Sequence, residues 1–290
     1  MSTITDNLMS ILPDKLYISL KYYYRFHKFP NLKNPETYNE KLQWLKLHDH
    51  NELYHTLADK SEVKKYVEKL IGSEHVIKTL GVYDSFDEID FDSLPERFVL
   101  KCTHDSGGLV ICKDKSKLDK EISKKVIESS LKTNYFYHSR EWAYKDLKPR
   151  IIAEEYIETR NGDLPDYKFF CFDGKVRALY VATGRHTKEG VCFDFYDENF
   201  NHLPFYNSHP NSKNKIDKPS GFEGMKELAE KLSVGMPHVR VDLYDIDGKI
   251  YFGEYTFYHM SGFQPFRPEE WDYTFGSWID LDIVITHKHF

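Results

Sequence analysis

The residues best suited to chemistry lie in one predicted β-hairpin near the end of the chain. Polar and apolar residues alternate on both sides of an Asp-Gly pair, which is typical of two strands joined by a tight turn. If the hairpin turns about Asp247, Arg240 lies opposite Glu254. One face then carries Arg240, Asp242, Glu254 and Thr256, because side chains two residues apart on a strand share a face.

Two carboxylates and a guanidinium on adjacent strands suit a site for Mg²⁺ and a phosphate chain. Mg²⁺ takes oxygen ligands and is usually held by one or two carboxylates together with substrate phosphates. The alternative is a surface hairpin with a cross-strand Arg–Glu pair. The hairpin by itself leaves both interpretations open.

A second motif is a lysine on a predicted strand followed by a polar loop with two glycines. Lys101 could reach a phosphate as a point charge, and Ser106, Gly107 and Gly108 could bring backbone N–H groups close to phosphate oxygens. His104 in the same loop could contact phosphate or substrate. The spacing is not that of a Walker loop, and an ordinary hairpin turn is the alternative.

Two shorter motifs lie on later predicted strands. Glu-Glu-Tyr-Ile at 154–157 could offer one C=O and one N–H to an adenine, and a plain edge strand is the alternative. Asp166 is followed two residues later by Lys168, which could contact phosphate. An Asp–Lys surface pair explains that spacing equally well.

The surrounding pattern predicts an α+β fold. Residues 1–95 are predicted to be mostly helical, with a capping box from Thr37 to Glu40 and a helix at 62–71. Further helices are predicted at about 117–131 and 222–233. Between them lie hairpins that form an antiparallel sheet with one helix across it.

Composition narrows the classes of function. The chain has 290 residues, a formal net charge of −6 and a pI near 6.2, so it lacks the basic excess of a nucleic-acid-binding protein. Its four cysteines form no C-x-x-C pair and are expected to be buried free thiols. The sequence has no signal-like start and no apolar run of about 18 residues. We therefore expect a cytoplasmic protein that is not integral to a membrane.

The order of these motifs resembles the ATP-grasp superfamily, and more narrowly its teichuronopeptide-biosynthesis-like (TupA-like) branch, often labelled glycosyltransferase in bacterial polysaccharide clusters. The resembling segments are 37–45, 59–63, 100–108, 154–157, 166–168, 240–242 and 262–272. The resemblance implies an ATP-grasp fold in which two lobes clasp Mg-ATP. We expect a helical N-terminal region at 1–95, a small lobe at 96–157 and a large lobe at 158–290.

The resemblance also implies roles for individual residues. ATP would contact the following residues: Lys101, His104, Ser106, Gly107, Gly108, Glu154, Glu155, Tyr156, Ile157, Asp166 and Lys168. Lys168 and Arg240 would be catalytic, and Asp242, Glu254 and Thr256 would hold Mg²⁺. Many ATP-grasp ligases carry Asn where this chain has Thr256. Arg185, His259, Ser261 and Gly262 are candidates for contacting the acceptor substrate.

The activity that the resemblance implies is ATP-dependent ligation of a carboxylate and an amine through an acyl phosphate. The carboxylate would belong to a uronic acid of a bacterial surface polysaccharide or its precursor, and the amine to a donor such as an amino acid. One alternative is a metal-dependent glycosyltransferase, since Asp245 and Asp247 form a D-x-D motif. Their position at a hairpin turn favours turn formation instead. A sugar kinase of the ATP-grasp type is the third possibility.

Overall fold

The computed structural model describes residues 11–159, 164–184 and 190–287. Its contacts divide the chain into two compact units. Unit 1 combines Met1–His50 with Leu164–Phe290, and unit 2 is Asn51–Asp163. The region predicted to be helical at 1–95 is thus shared between both units.

The elements in chain order are as follows. The helices are α1 (Asp14–Phe26), α2 (Tyr38–His48), α3 (Leu53–Ala58), α4 (Val63–Ile71), α5 (Lys120–Leu131), α6 (Phe136–Ser139), α7 (Phe222–Leu232), α8 (Glu270–Ser277) and α9 (Asp282–His287). The strands are β1 (Thr79–Tyr83), β2 (Phe98–Cys102), β3 (Leu109–Cys112), β4 (Ile151–Glu155), β5 (Asp166–Phe172), β6 (Lys175–Thr183), β7 (Cys192–Asp197), β8 (Tyr206–Asn207), β9 (Val239–Ile246), β10 (Lys249–Thr256) and β11 (Phe266–Arg267).

Side-chain caps fix the starts of several helices. At α2, Thr37 accepts a hydrogen bond from the Glu40 N–H, and the Glu40 carboxylate accepts one from the Thr37 N–H, which confirms the predicted capping box. Asp119 accepts from the Ile122 N–H at the start of α5. Asp59 accepts from two backbone N–H groups in the turn before α4.

Unit 1 is built on a five-stranded antiparallel sheet in the order β10-β9-β5-β6-β7. Its central strand β5 is buried along its whole length, so both faces are covered. Helix α7 covers one face, where the rings of Phe169 and Phe222 lie 6.1 Å apart. On the other face, Phe170 contacts Tyr38 of α2 and Phe275 of α8. We call this second face the α2 face.

Unit 2 is built on a four-stranded antiparallel sheet in the order β1-β4-β2-β3. Its core, which includes Phe98, Leu100, Ile127 and Ala153, lies on the face covered by α5. Strand β1 is a strand that the sequence pattern did not predict. Because it pairs with β4, the Glu-Glu segment at 154–155 lies in an interior strand and not in an edge strand.

Candidate functional site

The β9–β10 hairpin turns through Asp247 and Gly248, whose φ angles of 53° and 90° are typical of a two-residue type I′ turn. This turn places Ile246 opposite Lys249. In a hairpin centred on Asp247, Ile246 would instead lie opposite Gly248, so the observed pairing register is shifted by one residue. A shift of one residue moves every later side chain of the strand to the other face. A β-bulge between Phe252 and Glu254 adds a second shift and reverses that effect.

The predicted pairing in this hairpin is therefore wrong, while the four side chains still share a face. Arg240 lies opposite Thr256, and Asp242 lies opposite Glu254. The Arg240 Nη2 donates to the Thr256 Oγ1 at 2.8 Å and lies 3.9 Å from the Glu254 Oε1. The bulge thus brings together the residues that the sequence placed on one face.

A cluster of four buried charges, which we call the α2-face cluster, extends from this hairpin onto β5. It consists of Asp166, Lys168, Arg240 and Asp242, each less than 10% exposed. The Arg240 Nε and Nη2 donate to the two oxygens of Asp242 at 2.7 and 2.9 Å. The Lys168 Nζ donates to the Asp242 Oδ2 and lies 2.7 Å from the Asp166 Oδ2.

The opposite charges keep these groups ionised although they are buried. Burial opposes ionisation of Asp242, but Arg240 and then Lys168 hold the pKa of its carboxyl below the usual range. Burial likewise opposes protonation of Lys168, and Asp166 and Asp242 raise the pKa of its ammonium group. Asp242 also raises the pKa of Arg240 against the effect of burial.

His259 continues the cluster as a neutral side chain. The Arg240 Nη1 donates to the His259 Nδ1 at 2.8 Å, so the Nε2–H donates to the Asn207 Oδ1 at 3.1 Å. Burial and then the charge of Arg240 hold the pKa of His259 well below its usual value. His259 thereby joins Arg240 to Asn207 of strand β8.

The backbone after His259 is held by α2. Ser261 and Gly262 have φ angles of 55° and 62°, and their carbonyls accept hydrogen bonds from the Gln43 side chain. The Lys46 Nζ also donates to the Ser261 carbonyl, at 2.7 Å. A Cβ on Gly262 would lie 2.4 Å from the Gln43 Nε2, so this position needs glycine. The segment is thus rigidly placed beside His259.

The carboxylates of the hairpin fit an Mg²⁺ ion that also binds phosphate, and they do not fit a site made of protein ligands alone. Among residues 11–159, 164–184 and 190–287, no group of three His, Cys, Asp or Glu residues could hold a metal. Asp242 and Glu254 face each other, Glu254 is 41% exposed, and the Thr256 hydroxyl accepts a hydrogen bond from Arg240. Two carboxylates completed by phosphate oxygens are an ordinary Mg²⁺ environment.

Unit 2 carries its own charged cluster on the face opposite to its core. The Lys101 Nζ lies 2.7 Å from one Glu154 oxygen, and the Lys64 Nζ lies 2.5 Å from the other. Burial opposes ionisation of Glu154, but Lys101 and Lys64 keep the pKa of its carboxyl below the usual range. Leu109 and Ile111, about half exposed, share this face. The sequence did not single out Lys64, because its pairing with Glu154 spans 90 residues and Lys65 beside it looks the same.

The polar loop between β2 and β3 is held by hydrogen bonds at its first residues and is exposed at its tip. The Lys60 Nζ donates to the Asp105 carbonyl, and the Ser130 hydroxyl donates to the Asp105 carboxylate. His104 is buried, and its Nε2–H donates to the Thr133 carbonyl at 3.1 Å. Ser106 and Gly107 are exposed. The loop therefore presents its glycine end, and not His104, to solvent.

Gly108 has no room for a side chain, whereas Gly107 has. A Cβ on Gly108 would lie 2.3 Å from the Cys102 Sγ and 2.8 Å from Ser130. At Gly107 the nearest atom would be 3.4 Å away, an ordinary contact. Gly107 is thus free to face a ligand, and Gly108 allows the close approach of the loop to α5.

The remaining predicted residues lie close to these clusters or outside the described part. The Glu155 N–H donates to the Lys78 carbonyl at 3.0 Å, and Tyr156 and Ile157 follow the end of β4. The Asp245 carboxylate accepts hydrogen bonds from the N–H groups of Gly248 and Gly221, so it stabilises the turn. Arg185 lies outside the described residues.

Comparison with known proteins gives the class of this chain. The family model described as TupA-like ATPgrasp matches residues 40–280. The chain therefore belongs to the TupA-like ATP-grasp family, which confirms the resemblance and the α+β ATP-grasp fold. A search of curated proteins gave no match.

Solved structures similar to this chain at low identity include two D-alanine–D-alanine ligases and one N5-carboxyaminoimidazole synthase. D-alanine–D-alanine ligase from Bacillus anthracis complexed with ATP has 15% identity, a TM-score of 0.44, and coverage of 80% of this chain and 65% of that one. The ligase from Helicobacter pylori has 15% identity, a TM-score of 0.40, and coverage of 69% and 51%. N5-carboxyaminoimidazole synthase from Aspergillus clavatus has 12% identity, a TM-score of 0.40, and coverage of 71% and 46%. The chain thus spans about half to two thirds of their length.

Proposed function

We propose that this protein is an ATP-dependent ligase that joins a carboxylate to an amine through an acyl phosphate. Family membership supports the use of ATP. The observation that carries the proposal is the α2-face cluster, in which Lys168 and Arg240 are buried beside Asp242. Burying an ion costs several kcal/mol even when it is paired, so such a cluster is weak evidence for stability and stronger evidence for a functional site.

In the proposed reaction, an oxygen of the substrate carboxylate attacks the γ-phosphorus of ATP, and ADP leaves. The amine then attacks the acyl carbon, phosphate leaves, and the amine loses a proton. Negative charge develops on oxygen in both steps, and fixed cations stabilise it. We assign this role to Arg240 and Lys168, which the cluster holds in place.

Asp242 and Glu254 are the residues that would hold Mg²⁺, whose chemical contribution is to neutralise the phosphate oxygens. The Thr256 hydroxyl accepts a hydrogen bond from the Arg240 guanidinium, and a neutral hydroxyl is a weaker Mg²⁺ ligand than a carboxylate. We therefore assign Thr256 the task of orienting the guanidinium rather than that of a metal ligand. Asp166 orients Lys168 in the same way.

In unit 2, we assign the nucleotide to the face that carries Lys101. Lys101 and Lys64 are two cations on one buried carboxylate, Glu154, and together they leave a net positive charge for a phosphate. Leu109 and Ile111 on the same face offer apolar surface to a base. Gly107 at the exposed loop tip offers a backbone N–H. Tyr156 and Ile157 extend this face beyond β4.

The substrates are proposed from the TupA-like family. We propose a uronic acid of a bacterial surface polysaccharide, or its precursor, as the carboxylate, and an amino acid or similar compound as the amine, with the reaction taking place in the cytoplasm. His259, Ser261 and Gly262 are the described residues assigned to the acceptor. The placement of Ser261 and Gly262 beside His259, next to Arg240, supports this assignment.

The proposal is tested by calorimetry of ATP binding at millimolar Mg²⁺, followed by assay of ADP and phosphate release with uronic acids and amines. We expect ATP to bind, and both products to appear only when acid and amine are present together. ADP release from an acceptor that lacks both groups would indicate a kinase. Absence of ATP binding would contradict the proposal.

A double variant separates the ligase from a glycosyltransferase. Asp245→Ala with Asp247→Ala removes the D-x-D motif, which in this structure forms the hairpin turn. Ligation should remain nearly unchanged apart from a small loss of stability. A glycosyltransferase that binds its metal through this motif would lose its activity.

A further inference from the structure

Helix α1 of unit 1 exposes a continuous apolar face. Leu16, Leu20, Tyr23 and Tyr24 lie at spacings i, i+4, i+7 and i+8 on α1, which places them on one side. They are 46%, 47%, 48% and 85% exposed. Ile18 and Tyr22, on the opposite side of α1, are fully buried. The helix thus has two apolar sides, and within the described ranges 11–159, 164–184 and 190–287 only one of them is covered.

Residues on either side of α1 enlarge this surface. Ile11 before the helix is 79% exposed, and Phe29 after it is 62% exposed. The Phe29 ring stacks on the Tyr23 ring at 4.8 Å. We call these six residues the α1 outer face. Contiguous exposed apolar surface is a common feature of interaction sites.

Charge around the α1 outer face is opposite to the charge of the whole protein. Segment 11–35 contains five cations and one carboxylate, whereas the chain carries a net charge of −6. Arg25 donates a hydrogen bond to the Phe263 carbonyl, and Lys28 donates one to the Glu269 carboxylate. Lys15 and Lys33 are exposed. A cationic segment on an acidic protein fits an anionic partner.

We propose that the α1 outer face docks on an anionic lipid surface, with α1 lying in the plane of the interface. Helices of this kind bury an apolar side at the level of the headgroups while lysines remain beside anionic lipids. Tyrosine suits that position because its ring is apolar and its hydroxyl stays in water. Docking of this kind requires no spanning segment, and none of the described helices is long and apolar enough to cross a membrane.

The test is co-sedimentation of the full chain, without nucleotide, with vesicles of phosphatidylcholine alone or with about a third phosphatidylglycerol. We expect binding to the anionic vesicles that weakens with salt. Leu20→Gln with Tyr24→Gln should lower the partition coefficient about tenfold or more. Lys15→Gln with Lys33→Gln should lower it several-fold, and only on anionic vesicles.

A matched control lies on α5, where Ile122 and Val126 also stand four residues apart and are 60% and 39% exposed. Ile122→Gln with Val126→Gln should bind vesicles as the wild type does. Tyr24→Cys in a Cys192→Ser background, carrying an environment-sensitive label, gives a second readout, since its emission should shift to the blue on anionic vesicles.

Three results would overturn the proposal. They are wild-type protein that stays in the supernatant, an α1 variant that binds as strongly as the wild type, and a wild-type dimer that Leu20→Gln with Tyr24→Gln converts to a monomer. The last would assign the face to a second copy of the chain. Because no nucleotide is used, failure here leaves the ligase proposal untouched.

Discussion

Asp242 is the residue on which the charged groups of unit 1 converge. Both of its oxygens accept hydrogen bonds from Arg240, and one also accepts from Lys168. Asp242 therefore holds two cations at fixed positions, and one of them, Arg240, lies 3.9 Å from Glu254, a carboxylate of the hairpin face that is 41% exposed. Such fixed cations require little reorganisation when charge develops in a reaction.

Asp242→Asn tests this role directly. The amide keeps the shape of the side chain but removes the charge that balances Lys168 and Arg240. We expect Mg²⁺-dependent ATP turnover to fall by about a hundredfold or more. Loss of one partner of a buried pair costs about 3–5 kcal/mol, so we expect a lower melting temperature with the fold retained. ADP release and circular dichroism measure the two effects, and full activity in this variant would exclude Asp242 from the site.

His238 provides a prediction about pH. The Tyr38 hydroxyl donates to the His238 Nε2, and the Nδ1–H donates to the Cys171 carbonyl, so the ring is neutral. Burial lowers its pKa from 6.5 to about 3. Between these values the unfolded chain binds a proton that the folded chain does not, so the free energy of unfolding falls as pH decreases.

The expected slope is about 1.4 kcal/mol per pH unit for His238 below its unfolded pKa. Asp272 contributes with the opposite sign, because burial raises its pKa to about 6. Chemical denaturation of wild type and His238→Gln from about pH 7 to about pH 5 separates the contribution of His238 to the free energy of unfolding from that of Asp272. The variant should lose less stability over this range, and equal slopes would contradict the neutral assignment.

At the level of elements, the β9–β10 hairpin shows what the sequence can and cannot predict. The alternation of residues and the Asp-Gly turn were visible in the sequence, and so was the face with Arg240 and Asp242. The register was not, because the bulge at Gly253 leaves no periodic signal. Before the bulge Phe252 lies opposite Leu243, and after it Glu254 lies opposite Asp242. The face was predicted correctly only because the two shifts cancel.

The starts of helices can be predicted from sequence because the interactions that fix them are local. Thr37, Glu40 and Asp119 act on groups within a few residues along the chain, so the sequence contains the whole interaction. The pairing of Lys64 with Glu154 and the interior position of β4 depend on segments far apart in sequence. No local pattern encodes them.

Two glycine variants test the importance of the bulge. A Cβ on Gly253 would lie 3.0 Å from the Asp242 carbonyl and from the Tyr244 ring, so Gly253→Ala must displace the strand beside Asp242. Gly248→Ala puts a side chain at φ 90° in the turn, with no atom within 4 Å. Both should lose about 1 kcal/mol or more of stability.

The two variants should differ in ligand binding. Calorimetry with ATP and Mg²⁺ should show weaker affinity for Gly253→Ala and wild-type affinity for Gly248→Ala. Equal affinity in both variants would mean that the bulge does not position Asp242 and Glu254.

At the scale of the whole molecule, both units keep their thiols unpaired. All four cysteines are free, with Cys102, Cys112 and Cys171 buried and Cys192 half-buried. Burial raises the pKa of Cys102 to about 11 and that of Cys171 to about 12. It also raises the pKa of Cys112. Thiolates, which are the reactive form, are therefore scarce at these three positions.

We expect a thiol reagent to label one cysteine quickly in the native protein and all four after unfolding. Cys192→Ser should abolish the fast phase, while a reducing agent should leave the melting temperature unchanged. Fast labelling of two or more thiols in the native protein would show that one of the units opens readily.

The buried ion pairs of the α2-face cluster have a consequence for the timing of dehydration. Lys168 and Arg240 lose their water when the chain folds, because Asp166 and Asp242 accompany them into the interior. An arriving phosphate would meet cations that are already dry. Its binding would be an exchange of one anionic partner for another, and the solvation cost of the cations would belong to the folding of unit 1 and not to the recognition of the ligand.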